Sequence, residues 1–482
     1  MESSLISTFR QTCASYRDRP AIVDGQGVLN FADMGEQVER LAAWLHGQGL
    51  EPRQTVAVSI GHERSHLLAS LALMRLGCPQ VTLAPHDQPS QRQALIAKCR
   101  PVAVVGDGSD DDGLPVILPD FEAAAGSHEF GDGALPVPDD DTLSLLLPGS
   151  GTMGTFKVIA MSHRAMLWQA LCRSVAAPSG VEYIPSPIGF LFPKRNRLRS
   201  VLTGYTALFR TAEHSELPDV CRHFGVSVLR LSPPQLQSLI DLADAGVRLP
   251  GNIAVCVAGA RIPGSTRAAF QSRVSPALYV EYGATEIGNI AVAGPEAHPL
   301  HPEGVGRPVP GVELEIVDEI GRRLPPEIEG MILVRGPGMV NCYFEDEELT
   351  AKAFRDGWYH TGDRGALAAD GTLIFGGRAD DMMILNSINI FPSEIEKVAE
   401  TFPGVVECVA FPMRSTIHGD IPVLAVVGAD GYDLKGLMSY CREKLGVRAP
   451  RKVVFLSEIP RNPQGKVVRR DLSLRAAEGA FR

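Results

Sequence analysis

The chain reads as an α/β protein: a large N-terminal domain of parallel or mixed sheets with flanking helices, a β-rich subdomain attached to it, and a small α+β domain at the C-terminus. Three observations predict this. Over the first half of the sequence, apolar runs of strand length alternate with helical periodicities, the pattern of a parallel sheet covered by helices. From about residue 305 the texture changes to short β-rich pieces separated by turns. Near residues 376–380 a Gly-Gly pair precedes Arg-Ala-Asp-Asp, and a smaller set of strands and helices follows. That places one domain at 1–379 and a second at 380–482.

In order, residues 34–49 carry Val38, Leu41, Ala42 and Leu45 on one helical face, with Gly49 as the stop. Residues 55–60 (TVAVSI) read as a buried strand, 63–77 as a helix ending at Gly77, and 79–85 as the next strand. The alternation recurs at 101–105, at 214–233 as helix then strand, and at 250–259. VELEIVD, GMILVRG and ALAADGTLIFGG are the β-rich pieces. Beyond residue 380 come strand MMILN, helix SEIEKVAETFPG, strands VVECVAF and PVLAVVG, helix LKGLMSYCREKLG and strand KVVFLS. GDGSDDDG at 106–113 reads as an exposed acidic loop.

At 482 residues and 45% hydrophobic content the chain has material for more than one core. A net charge of −10 with interspersed signs gives no support to a nucleic-acid groove. No secretory signal opens the sequence and no run of about 18 apolar residues suggests a membrane span. Nine cysteines without a C-x-x-C fit reduced thiols in a cytoplasm, and twelve histidines show no metal-ligand pairing.

The chemistry-bearing strings begin at residues 145–157. An apolar strand runs into a loop with three glycines, hydroxyls at Ser150, Thr152 and Thr155, and Lys157. Glycines let backbone N–H groups face an anion, and hydroxyls with a lysine complete a phosphate cradle. The spacing is not that of a Walker A loop. Taken alone, the string fits a flexible Gly/Ser loop as well as a phosphate cradle.

The loop resembles the T-S-G-T-T-G-x-P-K-G signature of the adenylate-forming superfamily, which holds acyl- and aryl-CoA synthetases, peptide-synthetase adenylation domains and luciferases. Ser150, Gly151, Thr152, Gly154 and Lys157 match; Gly149, Met153, Phe156 and Val158 depart. Glu281-Tyr282-Gly283-Ala284-Thr285-Glu286 is similar to the family's x-Y-G-x-T-E. There an aromatic stacks on adenine, a threonine hydroxyl meets phosphate and a glutamate ligates Mg²⁺. Gly259, Ala260 and Arg261 stand where the family flanks adenine. Tyr359–Asp363 resembles Y-x-T-G-D, whose aspartate accepts from both ribose hydroxyls. Gly377–Met382 resembles the hinge motif G-R-x-D-D-M, with Arg378 as ribose or phosphate partner and Asp380 as pivot. Residues 460–466 resemble the terminal P-x-x-x-x-G-K motif, which ends in Lys466; read alone, that lysine could equally begin the basic tail KVVRR.

The resemblance spans essentially the whole chain and lies closest to acyl- and aryl-CoA ligases. It implies an acid–thiol ligase that uses ATP and Mg²⁺, with Lys466, Thr285 and Glu286 catalytic. The nucleotide set is Ser150, Gly151, Thr152, Gly154, Lys157, Gly259, Ala260, Arg261, Glu281, Tyr282, Asp363 and Arg378, and the C-terminal domain is mobile. The acceptor implied is CoA or the phosphopantetheine of an acyl or peptidyl carrier protein. Serine stands at 387, where the family often has glycine lining the thiol tunnel. With Phe156 and Val158 it keeps a degenerate nucleotide-binding protein open. The Phe-Asp pair of amino-acid-activating members is missing, which points to an unaminated acid. Phe190 and Phe192 fit either core or the wall of an apolar pocket. The basic run Lys194, Arg195, Arg197 and Arg199 reads as a solvated helix face, with contact to CoA or a carrier as the alternative.

Overall fold

The computed structural model describes residues 4–84, 87–107, 112–121, 135–149, 157–172, 180–209, 217–251, 253–385, 388–415, 419–428, 433–462 and 467–478. The expected α/β architecture is present. Four sheets organise the chain. The largest has nine strands in the spatial order Arg307–Pro308, Gly288–Ala293, Leu278–Ala284, Ala254–Ala258, Val226–Leu231, Val181–Tyr183, Thr206–Leu208, Pro20–Asp24 and Gly27–Asn30. Its centre is parallel and its edges antiparallel. A six-stranded sheet runs Val116–Ile117, Val104–Gly106, Val56–Ser59, Gln80–Thr82, Leu143–Gly149 and Lys157–Ser162. It is parallel except for its last pair, in which Gly149 stands opposite Lys157.

The apolar face of Phe31–Gly47 buries Val38, Leu41, Ala42 and Leu45, as its periodicity predicts. The helix Glu63–Leu76 ends on Gly77, left-handed at φ 80°, which lets its N–H close the last turn on Leu73 and Met74. Helices Leu5–Ser15, Phe31–Gly47, Glu63–Leu76, His163–Leu171 and Leu191–Leu202 share one apolar cluster with Ile22 and Ala207 of the nine-stranded sheet. Leu145, Leu147, Ile159 and Met161 of the six-stranded sheet belong to the same cluster. These helices therefore form a middle layer between the two sheets.

That placement overturns the reading of the basic run as a solvated face. Lys194, Arg197 and Arg199 are 2%, 1% and 6% exposed. A helix packed against a sheet on either side has no face left for water, so its polar groups must find partners inside. Arg197 donates to Glu63 Oε1 (3.0 Å) and to the Ile184 carbonyl (2.9 Å). Lys194 Nζ donates to Gln80 Oε1 and Thr82 Oγ1, both at 2.9 Å. Burial without a carboxylate lowers the Lys194 ammonium to about 7.

A five-stranded antiparallel sheet follows: Glu313–Val317, Gly330–Arg335 and Trp358–Leu367 in order, with Phe354–Arg355 and Leu373–Arg378 both paired to Trp358–Leu367. The last sheet runs Ile388–Ile390, Met383–Leu385, Gly419–Gly428 and Val405–Ser415, with Lys452–Phe455 parallel to Gly419–Gly428. Helices Pro392–Ala399 and Leu434–Leu445 contribute Ile395, Ala399, Leu437 and Cys441 to its own apolar cluster. Among the described residues no helix is long and apolar enough to cross a membrane.

Candidate active site

The strand Leu278–Ala284 sits beside the parallel strand Ala254–Ala258 and delivers the segment Thr285–Glu286 past its end. Glu286 is 4% exposed. Its Oε1 accepts from Lys157 Nζ at 2.9 Å and from the Tyr343 hydroxyl at 2.8 Å. The lysine also lies 5.1 Å from the centre of the Tyr343 ring. Burial works to raise the Glu286 carboxyl, but the Lys157 charge and these two bonds override it and hold the group below the usual carboxylate range. Behind it, Gln169 Nε2 donates to the Thr285 carbonyl (3.3 Å) and to the Gly338 carbonyl (2.9 Å), which fixes the turn that carries Thr285. Gly288 at φ +87° makes this approach possible, because a Cβ there would meet Gln169 Cγ at 2.9 Å.

A second cluster lies on the neighbouring five-stranded sheet. Asp363 and Arg378 stand opposite each other in adjacent antiparallel strands. Arg378 donates from one nitrogen to Asp363 Oδ1 (3.0 Å) and to the Thr361 carbonyl (3.0 Å). Its other nitrogen holds both carboxylate oxygens of Asp380 (2.9 and 3.2 Å). The Tyr282 hydroxyl donates to Asp363 Oδ2 at 2.6 Å. Burial raises the Asp363 carboxyl, partly offset by Arg378 and Tyr282. Gly362, left-handed at φ +73°, leaves room for the Arg378 guanidinium, which a Cβ would approach to 3.0 Å. Tyr282 and Glu286 are four residues apart, so one segment serves both clusters.

The structure thus brings together Lys157, Glu286 and Thr285 in one place, and Tyr282, Asp363, Arg378 and Asp380 in the next. It puts other predicted residues elsewhere. Glu281 points away from its neighbour Tyr282, as strand alternation requires, and meets Arg230 at 2.7 Å in the interior. Arg230 also donates to Glu182 at 2.5 Å. Gly259 and Ala260 are exposed. Arg261 is engaged by two carboxylates: Glu400 (2.7 and 2.9 Å) and Glu303 (2.8 Å). Glu400 caps the helix Pro392–Ala399, so this bond ties the C-terminal part to the rest. Ser150, Gly151, Thr152, Gly154, Ser387 and Lys466 lie outside the described residues. Arg461 and Val467, which flank the segment with Lys466, pair in an antiparallel bridge. Arg469, three residues beyond it, bonds Asp381 (3.0 Å) and Glu396 (2.8 Å).

Tyr343 and Gln169 escaped the sequence reading. Neither sits in a recognisable string; each acts through contacts with residues more than fifty positions away. Among the described residues no group of three or more His, Cys, Asp or Glu could hold a metal by itself. Glu286 is the carboxylate of the first cluster, which suits an ion held mainly by phosphate oxygens.

One short segment, Tyr282–Glu286, thus joins a bonded lysine–glutamate pair to a bonded aspartate–arginine pair. Residues 9–344 match the model of the AMP-binding enzyme family, and residues 394–466 match that family's C-terminal domain, so the chain belongs to this family. It is 27% identical to the fatty acid–[acyl-carrier-protein] ligase ScoC of Streptomyces coeruleorubidus, over 94% of this chain and 92% of that protein. It is 28% identical to the indoleacetate–CoA ligase of Aromatoleum aromaticum, over 94% of each. Among solved structures, the amide bond synthetase McbA from Marinactinospora thermotolerans superposes with a TM-score of 0.87 at 26% identity, covering 98% of this chain and 99% of that one.

Proposed function

We propose that this chain activates a small unaminated carboxylic acid with ATP, forming an acyl-adenylate and pyrophosphate, and then passes the acyl group to a phosphopantetheine thiol. The observation that carries the reading is the joined pair of clusters. The bonded Lys157–Glu286 pair lies four residues along the chain from the Tyr282–Asp363–Arg378 set.

Asp363 presents a buried carboxylate suited to the vicinal hydroxyls of a ribose, held in place by Arg378. Tyr282 packs against Phe375 with ring centres 5.5 Å apart and offers its aromatic face to the base. Lys157 supplies positive charge for the outer phosphates, joined by Ser150, Thr152 and the glycines beside it. Glu286 would hold Mg²⁺, which offsets phosphate charge when bound. The substrate carboxylate then attacks the α-phosphorus: an acyl O–P bond forms, the bond to the bridging oxygen breaks, and its electron pair leaves on pyrophosphate. Lys466 stabilises the charge that builds on the α-phosphate oxygens, an effect worth roughly 3–4 kcal/mol for comparable contacts.

Arg469 lies three residues beyond Lys466, a reach of at most ~11 Å of chain, and Arg469 itself bonds Asp381, the neighbour of Asp380. Rotation of residues 380–482 about Asp380 would then exchange the lysine for a face that admits the thiol. Attack of the thiol forms the C–S bond and releases AMP. The acid ligases among the relatives support thiol transfer, CoA being one acceptor and a carrier protein the other.

Acid-dependent exchange of labelled pyrophosphate into ATP tests the reading. Lys466→Ala is expected to abolish exchange while nucleotide affinity persists. Undiminished exchange in that variant would remove the mechanism.

A further inference from the structure

Tyr343 reaches the first cluster through packing between distant parts of the chain. Residues 338–344 run between the turn that carries Glu286 and the strand Lys157–Ser162. Gln169 Nε2 holds the Gly338 carbonyl at 2.9 Å, and the Val340 N–H donates to the Glu286 carbonyl at 2.8 Å. Further on, Tyr343 bridges antiparallel to Ile159, and the Phe344 N–H donates to the Val158 carbonyl at 2.7 Å. The Tyr343 N–H itself donates to Thr350 Oγ1 at 3.0 Å. Side chains two residues apart share a face of a strand, so Lys157 comes up beside a tyrosine that stands opposite Ile159.

The tyrosine is buried, and both its polar end and its ring are engaged. The hydroxyl donates to Glu286 Oε1 at 2.8 Å and accepts from Lys157 Nζ at 3.5 Å. The ring centre lies 5.1 Å from that ammonium, and the ring packs on Phe354 with centres 5.5 Å apart. Phe354 in turn stacks on Tyr359 at 5.2 Å, in the strand that carries Asp363. Tyr343 therefore meets the lysine–glutamate pair with its hydroxyl and backs onto the strand of the aspartate–arginine pair. Lys157 serves Glu286 in this structure and the outer phosphates in the proposed reaction.

We propose that Tyr343 is a positioning residue: its hydroxyl holds the Glu286 carboxylate in place for Mg²⁺ when Lys157 turns from that carboxylate to the phosphates. The inference rests on the adenylation reading and adds a residue to it. Glu286 Oε1 has two donors in this structure, Lys157 and Tyr343. With Lys157 withdrawn, the buried carboxylate loses one of them, and the tyrosine is the donor that still fixes its oxygen. A carboxylate already held by a neighbour binds a cation without first having to be ordered. The effect passes through Glu286, so it appears only when Mg²⁺ is present.

Calorimetry of ATP binding to the full-length chain tests this, once with Mg²⁺ and once with the metal chelated. Tyr343→Phe keeps the ring against Lys157 and Phe354 and removes only the hydroxyl. It is expected to raise the Kd for ATP about 10–100-fold in Mg²⁺, and by less than about twofold in chelator. In a Glu286→Gln background the same substitution is expected to add nothing in Mg²⁺. Half-maximal pyrophosphate exchange should need about tenfold more Mg²⁺ in Tyr343→Phe than in wild type. Equal weakening with and without Mg²⁺ overturns the inference, because the hydroxyl would then act through Lys157 or the fold. Unchanged affinity in Mg²⁺, or a full further loss in the Glu286→Gln background, overturns it as well. Absence of exchange in the wild-type chain with every acid overturns the adenylation reading, while a Mg²⁺-dependent loss of ATP affinity in Tyr343→Phe still supports the role of Tyr343 at Glu286.

Discussion

Replacing Glu286 by glutamine removes one charge and changes almost nothing in shape. Glutamine keeps an oxygen to accept from Tyr343, but Lys157 loses the one carboxylate bonded to it among the described residues. Breaking a fully buried pair costs about 3–5 kcal/mol. The Lys157 side chain is 26% exposed and can turn to water, against 5% for Glu286, so the expected loss is about 2 kcal/mol. All three tryptophans, Trp44, Trp168 and Trp358, precede residue 380. Urea unfolding followed by tryptophan fluorescence therefore reports the part that holds this pair. The pH dependence is a second signature. The folded Glu286 carboxyl lies below its ordinary 4.5, so its stabilisation is complete above that pH and lost as pH falls through the folded value. The gap between wild type and Glu286→Gln should shrink below pH 4.5. A loss under about 0.5 kcal/mol, the range of a neutral surface change, or a gap that ignores pH, would refute the electrostatic account of the cluster.

Other consequences follow from the same contacts. Asp363→Asn weakens the acceptor proposed for the ribose and is expected to raise the Kd for AMP by about 10–100-fold in calorimetry; unchanged affinity would remove Asp363 from the nucleotide site. The Arg261–Glu400 pair, with each side chain 16% exposed, should show a coupling of about 2 kcal/mol. A double-mutant cycle on the equilibrium between lobe orientations, read by fluorescence energy transfer, measures it, and a value near zero would make the contact incidental. Burial holds Lys194 at about 7 against 10.5 in the unfolded chain. The unfolded state thus binds more protons between those values, and stability gains from this group as pH rises through the window. Lys194→Met should flatten that gain in urea titrations at pH 7 and pH 9.

The helix–strand alternation was legible because apolar periodicity is local: Val38, Leu41, Ala42 and Leu45 are all buried as their spacing requires. Lys157, Tyr282, Glu286, Asp363 and Arg378, which the structure bonds into two clusters, each sit in a short string that stands out in the sequence. The basic helix could not be read correctly. Its charge pattern looks like a solvated face, and only the packing of two sheets around it removes the water. Arg261 and Glu281 were assigned to the nucleotide from their neighbours in sequence, yet their side chains answer to Glu400 and Arg230, partners more than fifty residues away. Tyr343 carries no local signal; only its closeness to Glu286 marks it.

The account stands on attack at the α-phosphorus rather than at the γ-phosphorus. A single turnover with α-labelled ATP and a competent acid, quenched before thiol is added, separates the two. The label should appear on an acyl-adenylate, with one pyrophosphate released for each. Label recovered in ADP, with an acyl phosphate formed in place of the acyl-adenylate, would contradict the assignment of both clusters.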